Sequence, residues 1–129
     1  MQRIDKVWWC VAALSGAVMV MLGAYAAHGL AARTTEMMVS AVETGVRYQA
    51  WHTLAIMVVL VWRQVQPLAG QRWVLALWTL GVVCFSGSLY LMALVGLNLG
   101  IVTPIGGLLL MAGWLALGVV ALLAQHRYR

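Results

Sequence analysis

The side chains that could do chemistry are concentrated in one short stretch. Glu43, Arg47 and His52 lie there, with the neutral polar residues Tyr48 and Gln49 between them. On a helix, at about 100° per residue, the ionic and the neutral polar residues occupy nearly opposite faces. The ionic face comprises Glu36, Ser40, Glu43 and Arg47, and the neutral face comprises Tyr48, Gln49 and His52.

The spacing of Glu43 and Arg47 is that of a favourable i,i+4 ion pair. Two interpretations stay open. The pair could form at the lipid headgroups and set the depth of the helix. Alternatively, Arg47 stays inside and presents its guanidinium to a carboxylate, a phosphate or another helix's carbonyls.

The two histidines at either end of this region are expected at different depths. His52 lies nine residues beyond Glu43, about 13 Å deeper on a helix. His28 lies at the end of an earlier apolar run, just before Gly29, a residue that often caps helices. A difference in depth argues against a bis-histidine haem or a shared metal ion. We expect each histidine to hydrogen-bond within the protein, with Tyr25, Tyr48 or Tyr90 as partners; a proton-bearing or ligand-binding role for His52 is the alternative.

Polar residues also recur in two later apolar segments. Ser86, Ser88 and Tyr90 lie in one, and the run Thr103-Pro104-Ile105-Gly106-Gly107 begins the other. The resulting candidate polar cluster comprises His28, Glu43, Arg47, Tyr48, Gln49, His52, Ser86, Ser88 and Tyr90. The sequence has no P-loop, Rossmann glycine pattern, HExxH or nucleophile elbow. We therefore expect no catalytic residues, no metal, no cofactor and no enzymatic activity.

The composition indicates that the candidate residues belong to a membrane protein. Of 129 residues, 64% are hydrophobic and 9% are charged, and the mean hydropathy is +0.94. A soluble domain carries about 25% charged residues, and disordered chains have low hydrophobicity. Cys10 and Cys84 lie inside apolar runs, so neither a disulfide framework nor a zinc site is expected.

Four segments are predicted to span the membrane. They cover residues 7–30, 41–62, 73–95 and 104–124 of a single integral membrane domain, residues 1–129. The strongly apolar part of the second, residues 50–62, is too short to span alone, so this helix crosses only if its first half brings polar groups into the membrane. The first is longer than a signal-peptide core, so we expect a span. Short connections predict an all-α transmembrane four-helix bundle. Residues 31–40 could be a loop, an interfacial helix or part of the second span.

The basic residues predict the orientation. With both termini inside, the cytoplasmic side carries six of them and the opposite side only Arg33 and Arg47. The six are Arg3, Lys6, Arg63, Arg72, Arg127 and Arg129. This bias predicts an N-in, C-in topology, and it accounts for the net charge of +5 without nucleic-acid binding.

Four motifs in this order resemble one known family. They are Ala27-His28-Gly29-Leu30, the run from Glu43 to His52, the run from Phe85 to Leu91, and Thr103-Pro104-Ile105-Gly106-Gly107. Together they resemble the YgdD/YwdK-type family of small four-span bacterial inner-membrane proteins, which is defined by a domain of unknown function. Tyr25 and Ala26 stand where that pattern has Phe and Gly. The resemblance implies localisation to the bacterial inner membrane and no known enzymatic activity.

Two functions from different classes fit these observations. The first is a structural or accessory bundle that self-associates or joins a larger membrane complex, because short loops leave little protein outside the bilayer. The second is binding or transfer of a lipid head, a quinone or a proton. In that case Arg47, Tyr48, Gln49 and His52, with His28 and Ser88, would line a cavity open to the outer leaflet.

Overall fold

The protein is all-helical in the computed structural model, which describes residues 1–124. Its elements are α1 (Arg3–His28), a 3₁₀ turn (Leu30–Ala32), α2 (Glu36–Val65), α3 (Gly70–Val95) and α4 (Val102–Leu123). The predicted all-α fold is confirmed, and most of the helices extend a few residues beyond the predicted spans. Arg127 and Arg129, counted above for the orientation, lie outside the described residues.

The segment between the first two helices divides into a turn and a helix start. Gly29 follows α1, and its N–H bonds the Tyr25 carbonyl, but its φ of −134° is not left-handed. After the 3₁₀ turn, the Thr35 hydroxyl accepts a hydrogen bond from the Met38 N–H at 3.3 Å. This is an N-cap, so α2 begins at Glu36. Residues 36–40, whose structure the sequence left open, are therefore part of the second helix.

Consecutive helices pack against one another, α1 on α2, α2 on α3 and α3 on α4. The main core lies where α2 and α3 meet. Its largest members, Trp78, Leu60 and Leu75, are completely buried, and Ala12 of α1 and Leu110 of α4 close it on either side. α1 and α4 therefore each lie at an edge of the bundle and expose long apolar faces.

Two glycines of α4 allow it to lie close to α3. A Cβ at Gly106 would collide with the backbone of Phe85, and one at Gly113 would collide with the Trp78 ring. Small residues commonly allow membrane helices to approach in this way. Gly106 and Gly113 therefore set the close approach of α3 and α4.

Three of the helices, α1, α3 and α4, are long and apolar enough to cross a membrane, and α2 is not among them. Nevertheless, α2 lies along α1 from the Asp5–Arg63 contact to the Gly23–Val46 contact. Those contacts are 18 residues apart on α1 and 17 on α2, about 26 Å, close to the roughly 30 Å of a bilayer core. The lower hydropathy of α2 reflects both polar residues that the neighbouring helices bury, such as Gln49 and His52, and the exposed ionic face.

Candidate functional site

Four polar side chains form a hydrogen-bonded network across three helices, here called the polar clasp: Ser15 of α1, Gln49 and Thr53 of α2, and Tyr90 of α3; Ser86 of α3 bonds to the α2 backbone beside it. Gln49 Nε2 donates to the carbonyl and the hydroxyl of Ser15, both at 3.0 Å. Gln49 Oε1 accepts from the Tyr90 hydroxyl at 2.6 Å. The Ser15 and Thr53 hydroxyls are 2.7 Å apart, and Ser86 donates to the Gly45 carbonyl at 2.7 Å.

A separate hydroxyl pair joins the last two helices. Ser88 donates to the Phe85 carbonyl at 2.9 Å and lies 2.6 Å from the Thr103 hydroxyl. Ser88 therefore bonds to the start of α4 and is not part of the polar clasp. The bonds of Gln49, Ser86, Ser88 and Tyr90 connect one helix to another.

His52 is nearly completely buried, with 4% of its surface exposed, and bonds through both ring nitrogens. Nε2 accepts from the Trp114 indole N–H at 3.0 Å. Since Nε2 accepts, Nδ1 carries the proton, and it donates to the Tyr48 carbonyl at 2.6 Å. The ring is therefore neutral in this arrangement, and its partners are a tryptophan and a backbone carbonyl. The tyrosine hydroxyls that the sequence suggested as partners make neither bond.

A groove of about 600 Å³ lies beside His52, between α2 and α4. We call this the α2/α4 groove. Its rings belong to Tyr48, Trp51, His52, Phe85 and Trp114, and neighbouring rings make edge and tilted contacts with centroids 5.0–5.8 Å apart. Leu54, Gly107, Leu110 and Met111 complete the lining. Among the described residues, no carboxylate, ammonium or guanidinium side chain lines this groove.

The candidate residues thus do not form one site. Of the six residues expected to line a single cavity, only Tyr48 and His52 line the α2/α4 groove. Gln49 lies in a second groove, of about 320 Å³ between α1 and α3, whose lining also contains Thr53 and Ser86. Neighbouring helix positions differ by about 100°, so Tyr48 and Gln49 reach opposite sides of the α2–α3 contact.

The ionic face of α2 points away from the bundle. Glu43 and Arg47 are exposed, and the structure forms no ion pair between them. The predicted i,i+4 pair is therefore absent, and Arg47 does not present its guanidinium to the interior. His28 is also exposed, at the end of α1. These three side chains make no hydrogen bond to the part of the chain that the structure describes.

A buried ion pair at the opposite end of α2 was missed by the sequence reasoning. Arg63 Nε and Nη2 donate to Asp5 Oδ1 at 3.0 and 2.9 Å, and each side chain is at most 4% exposed. Arg63 Nη1 donates to the Leu68 carbonyl and to Gln71 Oε1. Gln71, completely buried, accepts from the Leu68 N–H at 2.8 Å and donates to the Gln66 carbonyl at 3.1 Å. This cluster fixes α1 to the α2–α3 turn.

One sequence signal pointed to this pair. Asp5 is one of only three acidic residues, and it stands between Arg3 and Lys6. Because α1 and α2 run antiparallel, Asp5 near the start of α1 lies level with Arg63 near the end of α2. The sequence reasoning counted Arg63 only as a cytoplasmic positive charge and so did not give it a partner.

Nothing in the described residues indicates a metal centre. Residues 1–124 contain no group of three His, Cys, Asp or Glu side chains that could hold an ion. Cys10 and Cys84 are both free. Because both nitrogens of His52 are engaged, a haem or metal ion would have to displace one of its present bonds.

Comparison with known proteins identifies relatives over almost the whole chain. The model of a family described as a protein of unknown function (DUF423) matches residues 22–107. The inner membrane protein YgdD of Escherichia coli strain K12 is 42% identical over 117 residues, 90% of this chain and 89% of the relative. A UPF0382 membrane protein of Haemophilus influenzae is 40% identical over 106 residues, 81% of this chain and 85% of the relative.

A third relative comes from another genus. A UPF0382 membrane protein of Staphylococcus haemolyticus is 41% identical over 113 residues, 87% of this chain and 92% of the relative. No solved structure matches the chain. The resemblance drawn from the four motifs is confirmed, and the chain belongs to the DUF423 family, as a multi-pass protein of the bacterial inner membrane whose function is unknown.

Proposed function

We propose that this protein is a structural or accessory component of the inner membrane and not an enzyme. In this proposal its four helices all cross the bilayer, and the bundle associates with itself or joins a larger membrane complex. The observation that carries the proposal is the polar clasp, because its side chains bond to one another across three helices.

The energetics of a membrane interior support this reading of the clasp. A polar group left unpaired in hydrocarbon is unfavourable by several kcal/mol. Gln49 makes three hydrogen bonds, two to Ser15 and one to Tyr90, and it is only 4% exposed. Gln49 thus has its partners within the protein, and its bonds hold α2 to both α1 and α3.

The positions of α1 and α4 support association with another protein. Each is an edge helix that packs chiefly on one neighbour. Their uncovered faces carry large apolar side chains, for example Leu14 and Met21 of α1 and Leu115 and Leu122 of α4. Lipid can cover these faces, and so can helices of a second protein. Membrane lipids and other membrane proteins are therefore the proposed partners, and nucleic acid is not.

The charge distribution supports an N-in, C-in orientation. Both ends of the described chain lie at the Asp5 end of the bundle, since Gly70 at the start of α3 contacts Val120 near the end of α4. Arg3, Lys6 and Arg72 are exposed at that end. We place it in the cytoplasm by the positive-inside rule.

Substitution of Gln49 tests the role of the clasp. Interhelical hydrogen bonds in membrane proteins contribute about 0.6 kcal/mol each on average, so Gln49→Leu should lower the free energy of unfolding by about 1–2 kcal/mol. Arg47→Ala, on the exposed face of the same helix, is the matched control and should change it by less than about 0.5 kcal/mol. Unfolding in mixed micelles, followed by circular dichroism, measures both.

Native mass spectrometry from isolated membranes tests association with the same variants. We expect the wild-type spectrum to contain a homo-oligomer or a complex with another chain. A spectrum of single, unpartnered subunits would refute association. The accessory role would be overturned if Gln49→Leu kept full stability and assembly but lost a small molecule that the wild type retains.

A further inference from the structure

The α2/α4 groove contains one hydrogen-bond donor and one acceptor side by side. The donor is Trp114 Nε1 and the acceptor is His52 Nε2, 3.0 Å apart. Both residues line the groove. His52 is 4% exposed and Trp114 is 47% exposed, so the indole covers the imidazole on the side that faces the membrane.

The pairing of a donor with an acceptor selects for a hydroxyl group. A hydroxyl inserted between them accepts from the indole N–H and donates to Nε2, so both protein groups stay satisfied. An ester or phosphodiester oxygen only accepts, and it would leave Nε2 unpaired in an apolar site. A hydrocarbon chain would leave both groups unpaired.

The rest of the lining restricts the ligand further. The groove has no carboxylate, ammonium or guanidinium among its lining residues, so its occupant is uncharged. Tyr48, Trp51, Phe85 and Trp114 offer ring faces and edges, which pack well against another ring. A volume of about 600 Å³ is within the range of small-molecule sites and can accommodate a ring with the first part of a tail.

We propose that the α2/α4 groove binds an uncharged membrane lipid with a hydroxylated ring, of the quinol class, whose hydroxyl bridges Trp114 Nε1 and His52 Nε2. This site lies on the other side of the α2–α3 contact from Gln49 and the polar clasp. It does not depend on the accessory role proposed above, and either proposal can fail without the other.

The indole N–H of Trp114 allows a direct test. The full chain is labelled with ¹⁵N-tryptophan in detergent micelles and titrated anaerobically with decylubiquinol. The Trp114 signal is assigned by its loss in Trp114→Phe. We expect a saturable shift of this signal, because its hydrogen-bond acceptor changes. The signal of Trp73, which is exposed near the other end of the bundle and outside the groove, should not move.

Three ligands and three variants decide the outcome. Oxidised decylubiquinone lacks the hydroxyl donor and should bind at least about fivefold more weakly than the quinol, the effect of one hydrogen bond. Decanol keeps a hydroxyl but lacks the ring, so it should also bind more weakly because it loses the aromatic packing. Trp114→Phe should weaken quinol binding about fivefold when the Trp51 signal is followed. His52→Gln retains an acceptor and should bind, whereas His52→Leu should bind at least about fivefold more weakly.

Several results would overturn the proposal. They are an unmoved Trp114 signal at saturating quinol, equal shifts with decanol, and equal affinity for the oxidised and reduced forms. Circular dichroism checks that His52→Leu is still helical. If it is not, Trp114→Phe decides alone, since that side chain is half exposed and its ring is kept.

Discussion

Breaking the buried pair of Asp5 and Arg63 should destabilise the bundle strongly. Asp5→Leu removes two of the hydrogen bonds of the guanidinium and leaves a buried cation with only Leu68 and Gln71 as partners. Loss of one partner of a buried pair is unfavourable by about 3–5 kcal/mol. Because the pair lies near the end of α1, Arg63 can partly reach the interface, and we expect about 3 kcal/mol.

Replacing both partners should be much milder than replacing either one. Arg63→Met alone leaves the carboxylate buried and should also destabilise by about 3 kcal/mol. In the double variant no uncompensated charge remains, and Gln71 still bonds the Leu68 N–H. We expect the double variant to lose only about 1–2 kcal/mol, because apolar replacement of a buried pair is often nearly neutral.

Reversible unfolding in mixed micelles, followed by circular dichroism, measures the change in the free energy of unfolding for the two single variants and the double variant. The coupling energy of the pair follows from these three changes. Arg72→Met is the matched control: it removes the same charge at the same end from an exposed side chain whose contact is a 3.5 Å bond to Gln2. It should change stability by less than about 0.5 kcal/mol. If the effects of Asp5→Leu and Arg63→Met are additive within about 0.5 kcal/mol, the two residues are not coupled and this reasoning is refuted.

Two further predictions concern helix packing and orientation. Gly106→Ala should lower the free energy of unfolding by at least about 2 kcal/mol because the new methyl group would collide with the Phe85 backbone. Gly118→Ala is the control: its Cβ would meet open space, so it should be neutral or slightly stabilising. Equal effects of the two substitutions would contradict the close α3–α4 approach. For the orientation, in a background lacking the native cysteines, Asn98→Cys should react with a membrane-impermeant maleimide in intact cells and Pro67→Cys only after lysis; the reverse result would show that the termini face outwards.

The helices themselves were predictable because their signal is local. Runs of about 20 apolar residues identify spans wherever they pack, and Pro104 was predicted in the first turn of a helix, where the structure has it. Helical periodicity separated the ionic from the neutral polar residues of α2, and the structure exposes Glu43 and Arg47 and buries Gln49 and His52. Of the polar residues noted in the third and fourth segments, Ser88 and Thr103 lie 2.6 Å apart across the two helices.

The partners of the polar residues were not predictable in the same way. The Glu43–Arg47 pair follows a local rule, but both side chains are at the surface, where water or headgroups solvate them and a pair gains little. The sequence gives no local signal of a hydrogen-bond partner for Thr53 or Trp114, because threonine and tryptophan are ordinary residues of an apolar helix. Their bonds to Ser15 and His52 depend on how the helices are rotated about their axes.

The sequence by itself therefore determined that this is a small, helical, integral membrane protein, and its motifs determined the family. Hydropathy and composition decide whether a segment enters the bilayer, and this does not depend on how the helices are arranged within it. Only the tertiary structure decided that Asp5 pairs with Arg63, residues 58 positions apart. It also divided the polar residues between a clasp on one side of the α2–α3 contact and an aromatic groove on the other. Both outcomes depend on the rotation and separation of packed helices, which long-range contacts set and local sequence does not.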